Sequence, residues 1–251
     1  MNRLSRRRLL FGGIAAAASG AAVSAWRAAG PSGLLAPDHH GLFGVGESLT
    51  YGAQRLLTAR QPLAREFARG DISRVAPVNG DPPATDPYQR LLDAQFTDWR
   101  LAVGGLVARP QSFSLADIMA MPARSQITLH VCEEGWSFIA EWTGVLLSDV
   151  LARVGASPQA RYVVFYPFDQ WWDSVDMADA SHPQTLLAYA MNGHPLPAEH
   201  GAPLRLRVAR QLGYKSIKYL SRVQVVERLD AIGTGLGSAS PDAGYAWYAG
   251  I

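Results

Sequence analysis

The chain has 251 residues, 48% of them hydrophobic and 18% charged, which is enough apolar material to bury one sizeable core and excludes disorder over most of the length. Its 24 Gly and 16 Pro follow no period, so collagen-like and mucin-like chains are excluded as well. Lys and Arg outnumber Asp and Glu by 23 to 21, but Arg3, Arg6, Arg7, Arg8 and Arg27 all fall in the first 30 residues; the remainder sets 18 basic against 21 acidic residues, −3, which argues against a nucleic-acid partner.

Ser5-Arg-Arg-Arg-Leu-Leu opens a weakly hydrophobic run over 9–26, rich in Ala and Gly and interrupted by Ser19 and Ser24. It is too polar for a good membrane span and reads as a twin-arginine export signal over 1–30, with Val23-Ser24-Ala25 as a small-residue cleavage site. That pathway carries folded proteins, which points to a cofactor inserted before export into the periplasm. An uncleaved anchor is the alternative.

Residues 31–95 read as an N-terminal extension packing on the main domain, which covers 96–251. The spacing predicts helices over 48–57 and 62–67, and Asp81-Pro-Pro with Asp86-Pro marks a loop. A strand with a Gly-Gly bend is expected over 99–107, and Ser114 caps a short helix. Beyond it the pattern predicts a strand over 126–131, a helix over 145–154, a buried strand over 162–166, and a helix over 183–191 ending at Asn192-Gly193. Strands over 204–209 and 220–227 complete an α+β (mixed α/β) domain.

Cys132 is the single cysteine, so no internal disulfide forms, and neither an iron–sulfur cluster nor a cysteine-rich zinc site is available. It ends an apolar strand and runs into Glu133-Glu-Gly-Trp-Ser, a polar turn where sites collect. Either it is an inert core thiol or it gives one thiolate to a metal whose other ligands are not protein; a free nucleophile beside two carboxylates is disfavoured. His130 shares its strand parity. His182 reads as a cap or packing residue, and His39, His40 and His194 as solvent-facing.

Of 23 basic residues only Lys215 and Lys218 are lysines, both in Gly213-Tyr-Lys-Ser-Ile-Lys. With His200-Gly-Ala-Pro and Arg205, Arg207 and Arg210 before them, they outline a phosphate cradle, although neither a Walker loop nor a dinucleotide fingerprint is present. A solvated pair of strand-edge lysines is the plain alternative. Tyr166, Trp171 and Trp172 line a substrate side or belong to the core.

Three stretches, Cys132-Glu-Glu-Gly-Trp-Ser with Trp142-Thr-Gly-Val, His182-Pro-Gln-Thr-Leu-Leu, and Gly201-Ala-Pro-Leu-Arg-Leu through Lys218, occur in an order that resembles the sulfite oxidase family of molybdopterin-dependent oxidoreductases. The likeness covers roughly residues 96–228 and is greatest to short bacterial members similar to the methionine-sulfoxide reductase catalytic subunit. It implies a single sulfite-oxidase-like domain of mixed sheets and flanking helices that carries Mo-molybdopterin. Cys132 would be the metal ligand and catalytic residue, and Asn79, His200, Arg205, Ser216, Ile217 and Lys218 would hold the cofactor.

The chain departs from the reductase-like pattern at Pro167 and at His200, which is the sulfite-oxidase-like residue. The chain ends at Ile251, before an immunoglobulin-like dimerisation domain, and lacks a haem-attachment motif. The resemblance therefore implies a periplasmic monomer that exchanges an oxygen atom or electrons with a small sulfoxide- or sulfite-like substrate. Its redox partner would be separate, a membrane haem protein or a soluble cytochrome. A sulfite dehydrogenase or a non-catalytic molybdopterin-binding protein is the alternative.

Overall fold

The computed structural model describes residues 35–251 except 59 and 61; the expected export signal lies outside them. Two sheets face each other. The first has the order β2–β1–β10–β5–β6, formed by β1 (Arg100–Gly105), β2 (Gln111–Ser114), β5 (Tyr162–Pro167), β6 (Asp173–Asp176) and β10 (Leu220–Val226). All its pairings are antiparallel except β1 with β10. The second runs β3 (Ala123–Val131), β4 (Ser137–Leu146), β7 (Thr185–Met191), with β8 (His194–Pro195) and β9 (Arg205–Val208) both pairing with β7.

Period-two alternation builds the layers. On β5, Val163 and Phe165 enter the main core between the sheets with Trp99, Leu101, Leu187, Leu206 and Val223, while Val164 faces an outer cluster with Tyr51, Trp247 and Tyr248. On β7, Leu187 joins the main core, while Leu186 and Ala188 pack with Phe138, Ala140 and Trp142. The helices are α1 (Gly44–Leu57), α2 (Asp86–Asp93), α3 (Leu115–Met119), α4 (Leu147–Val154), α5 (Met177–Ala180) and α6 (Ala239–Asp242). Ser114 caps α3 as expected, in a reciprocal box with Asp117.

Four local expectations are corrected. Residues 183–191 form β7 instead of a helix; the Leu- and Ala-rich run is flanked by β4 and β9 and largely buried, so it shows no alternation to read. Asn192-Gly193, both at positive φ, is the tight hairpin turn into β8. Residues 62–67 are extended, with Phe67 N–H donating to Ile127 O at 2.9 Å and Ala64 N–H to Gln184 Oε1 at 2.7 Å. Asp86-Pro87 starts α2, Pro87 being tolerated in the first turn, and residues 145–146 end β4 instead of starting α4.

Candidate functional site

The site is built where strands end. Cys132 follows β3 directly, and the turn into β4 closes with Cys132 N–H donating to Trp136 O at 2.9 Å and Gly135 N–H to Cys132 O at 3.1 Å. A second wall comes from the 3-10 turns Ala198–His200 and Gly213–Lys215 with β9 between them. The walls meet tightly at Gly213, where a Cβ would lie 2.8 Å from His130 Nε2, so any other residue displaces that ring. Residues 77–81 form the third wall.

These walls enclose a cavity of about 520 Å³, and all seven expected site residues, Asn79, Cys132, His200, Arg205, Ser216, Ile217 and Lys218, line it. His130 and Trp171 line it too, whereas Tyr166 and Trp172 stack on each other in the outer cluster. Missed from the sequence were Tyr214, which lies inside the conspicuous 213–218 segment, and Ala243 and Tyr245, which come from a tail with no readable pattern.

Cys132 is 5% exposed, its Sγ 3.4 Å from Glu133 Oε2 and 3.9 Å from Asn79 Nδ2. Burial pushes the thiol up; the backbone N–H of Glu134 opposes this, and the Glu133 and Glu134 carboxylates reinforce it. Such a sulfur stays protonated unless a cation binds it. No cluster of three or more His, Cys, Asp or Glu groups is placed to hold a metal among the described residues, so at Cys132 the protein offers a single thiolate.

The floor is cationic. Arg205 donates to His200 O and Ser216 O, both at 2.9 Å, and its guanidinium lies 4.9 Å from the Trp142 ring centre. Arg207, on the same face of β9, does not line the cavity, contrary to the expectation from sequence; it is fully buried behind the floor and donates to Leu129 O at 2.6 Å and Val208 O at 2.9 Å. Lys218 donates to Asn79 O at 2.7 Å and Glu199 O at 3.1 Å. None of the three makes an ion pair among the described residues.

Burial lowers Arg205 to about 10 and Arg207 to about 9, the latter helped by the Arg205 charge. Lys218 falls to about 8 through burial and Arg205, although Asp169 and Asp81 pull the other way. His200 falls to about 4 through burial, Arg205 and Lys218, so its imidazole is neutral near pH 7. Arg205 Nε, His130 Nδ1 and the Tyr219 hydroxyl, all on lining residues, are buried without a hydrogen-bond partner among the described residues. A cationic floor with spare donors fits an anionic, acceptor-rich group such as a pterin phosphate.

The rim has the opposite character. Asp81, Glu133, Glu134, Asp169 and Glu199 border it with exposed or half-buried carboxylates. Aromatic rings complete it: Tyr245 sits 5.1 Å from Tyr214 and 6.1 Å from Trp171, and Tyr214 Oη donates to Ala246 O at 2.6 Å, fastening the tail to the site.

Fold and site together define a cofactor-binding oxidoreductase domain. Residues 88–231 match the family model described as oxidoreductase molybdopterin binding domain, and the chain belongs to that family. It is a molybdopterin-dependent enzyme whose cofactor is Mo-molybdopterin, as the resemblance to sulfite oxidase family oxidoreductases implied.

The chain is 35% identical to a putative protein-methionine-sulfoxide reductase subunit, YedZ1, of Azospira oryzae over 72% of its own length and 70% of that protein's. It is also 35% identical to the protein-methionine-sulfoxide reductase catalytic subunit MsrP of Xanthomonas axonopodis, over 58% of this chain and 50% of that one. It thus spans about half the length of the MsrP proteins it matches. Among solved structures, the sulfane dehydrogenase SoxCD of Paracoccus pantotrophus aligns with a TM-score of 0.50 and 26% identity, over 53% of this chain and 39% of that one.

Proposed function

We propose that this chain is an exported reductase that removes the oxygen atom from a neutral, sulfoxide-like substrate, taking electrons from a separate redox protein. The observation that carries the reading is the acidic rim: Glu133 and Glu134 follow Cys132 directly and border the same cavity, so their carboxylates repel an approaching sulfite dianion but not a neutral sulfoxide. The names of the relatives, methionine-sulfoxide reductase subunits, support the same substrate class. The Arg-rich leader supports export, and residues 31–95 act as an extension of the domain at 96–251.

When bound, the molybdenum centre would supply the two-electron redox chemistry that oxygen-atom removal requires. The chain's own residues do the rest. Cys132 would give up its proton and hold the metal through Sγ; Arg205, Lys218, Ser216 and the 217–218 backbone would hold the anionic end of the cofactor, with His200 and Asn79 as neutral hydrogen-bonding groups. Trp171, Tyr214 and Tyr245 offer aromatic faces to the apolar substituents of the sulfoxide and restrict water at the mouth.

The test pairs metal content with a substrate screen. Molybdenum should be near-stoichiometric in the purified holoprotein, with thiolate-dependent visible absorption that Cys132→Ser abolishes. Methionine sulfoxide and other sulfoxides should be turned over with a reduced dye far better than sulfite with an oxidised one. Removing both carboxylates (Glu133→Gln with Glu134→Gln) should raise kcat/KM for sulfite relative to sulfoxide by about tenfold, on the order of 1 kcal/mol for charges in a partly hydrated rim. Preferential sulfite oxidation by the parent would replace this reading with a sulfite dehydrogenase.

A further inference from the structure

Helix α1 lies on the outer cluster with its polar side turned inward. Ser48 and Tyr51 are buried, Tyr51 Oη donates to Asp176 Oδ2 at 2.8 Å, and Arg55 reaches Asp176 and Asp179 at 2.7 and 2.6 Å. The Arg55 guanidinium also lies 4.5 Å from the Tyr248 ring centre. These buried pairs fix the roll of the helix, and turning its other side inward would break all of them.

The side left outward is apolar. Val45, Leu49, Ala53 and Leu56 recur at i, i+4, i+8 and i+11, one stripe of the helix, and Val45, Leu49, Leu56 and Leu57 are 79, 70, 69 and 79% exposed. Leu42 and Phe43 just before α1, and Leu63 beyond its end, are exposed apolar residues as well. A helix facing water carries polar residues there; a contiguous apolar patch marks a contact.

The chemistry around the patch favours lipid. Neither charged group of α1, Glu47 or Arg55, lies on the stripe, and the exposed residues beyond its end include Arg60 and Arg65, the basic flank of an interfacial helix. Upstream, residues 35–43 fold in turns against the tail, with Asp38 accepting the Trp247 N–H at 2.8 Å, so eight residues (27–34) separate this folded part from the apolar run at 9–26, a link of up to about 28 Å when extended, and a retained run reaches the bilayer that α1 touches. A second copy is disfavoured by area. A 14-residue helix presents a footprint about 21 Å long and about 10 Å wide, well short of the roughly 800 Å² per partner of a stable interface.

We propose that the outward face of α1, with Leu42, Phe43 and Leu63, is a lipid-contact surface that seats the protein on an anionic bilayer, with Arg60 and Arg65 at headgroup level. The seat touches the site through the tail. Tyr51 packs edge-on against Trp247 and Tyr248, and Tyr245, two residues before Trp247, lines the cavity mouth. Membrane seating therefore fixes the site at a set distance from the bilayer, and it holds whichever substrate the enzyme reduces.

The test uses the full-length holoprotein with an environment-sensitive dye on Leu49→Cys, Cys132 being buried, and on Ser112→Cys as a control on β2, at the sheet edge opposite the β6 strand that anchors α1. With vesicles of phosphatidylcholine and phosphatidylglycerol, the dye at 49 should shift to the blue and be quenched by spin-labelled lipid, while the dye at 112 should not. Val45→Asp with Leu56→Asp should weaken vesicle binding of the 49-labelled protein at least tenfold without changing the thermal midpoint. Arg60→Gln and Arg65→Gln should each cost roughly fivefold on anionic vesicles and nothing on neutral ones.

No shift at 49 on either vesicle overturns the proposal. So does quenching at 49 that the Asp substitutions leave intact, which would mean that residues 9–26 alone hold the protein. A blue shift without vesicles, accompanied by a dimeric mass in light scattering, overturns it in favour of a second copy.

Discussion

Two groups of buried charge draw on the same short stretch of chain and end differently. Arg210 pairs with Asp179 at 2.6 Å and Lys215 with Asp173 at 2.5 Å, and Arg55, Tyr51, Gln211 and Ser240 complete a network in which each cation meets a carboxylate. Arg205, Arg207 and Lys218, which flank them in sequence, find among the described residues only carbonyl oxygens, a threonine hydroxyl and aromatic faces. The first group closes within the protein and locks α1 and the C-terminal tail onto the sheets. In the second, Arg205 and Lys218 line the floor of the cavity with Arg207 buried behind them, an arrangement whose desolvation cost is offset only when an anion arrives.

The contrast breaks first at Asp179. In Asp179→Ala, Arg55 and Arg210 both lose a buried carboxylate, and urea unfolding should show a loss of about 3–5 kcal/mol. Arg205→Met should behave oppositely. It removes an unpaired buried charge while leaving two carbonyls without donors, so the cofactor-free protein should change by less than about 2 kcal/mol in either direction. Molybdopterin retained through purification should instead fall several-fold. If Arg205→Met unfolds the protein as severely as Asp179→Ala, the cationic floor is a structural element and the contrast fails.

Acid sharpens the same comparison. His200 sits among Arg205 and Lys218 with its pKa lowered to about 4, whereas in the unfolded chain it titrates near 6.5. Between these values the unfolded chain binds the proton and the folded one does not. The contribution of His200 to stability is therefore fully present above about pH 6.5 and is lost as pH falls through about 4. The urea midpoint of the cofactor-free protein should drop between pH 7 and 4.5, and His200→Gln should flatten that part of the profile. An unchanged slope in the variant would locate the acid sensitivity elsewhere.

Why the sequence revealed one group and not the other follows from geometry. Arg205 and Arg207 alternate on a strand, and that periodicity places both on one face; Cys132 stands at a strand end before a polar turn, which is a legible site position. Lys215 and Lys218 look equivalent in sequence, yet the turn at 213–215 sends Lys215 away from the cavity to Asp173, and no local pattern announces a partner 42 residues away. Tyr245 is invisible for the same reason, since it reaches the site only because residues 246–251 are pinned to Tyr214, Leu212 and Arg210. The two sheets were half legible. The alternating strands stand out, while β4 and β7, covered on both faces, read as nothing and as a helix.

That misreading yields the prediction of smallest effect. Asn-Gly after a Leu/Ala run suits a helix C-terminus as well as a hairpin, because both need left-handed residues. Here Asn192 and Gly193 have φ of 53° and 80°, and Asn192 Oδ1 also accepts the backbone N–H of Glu141 at 2.9 Å, tying the turn back to β4. Asn192→Ala gives up that bond and puts a Cβ-bearing residue without a local hydrogen bond in the left-handed region, costing about 1–2 kcal/mol. Gly193→Ala meets no neighbouring atom within 4 Å, so it carries only the backbone term, about 1 kcal/mol. Were Gly193 a helix cap, Asn192 would have no tie to a distant strand and its replacement would cost no more than that of Gly193. Asn192→Ala being the more damaging of the two in urea unfolding is thus the signature of the strand.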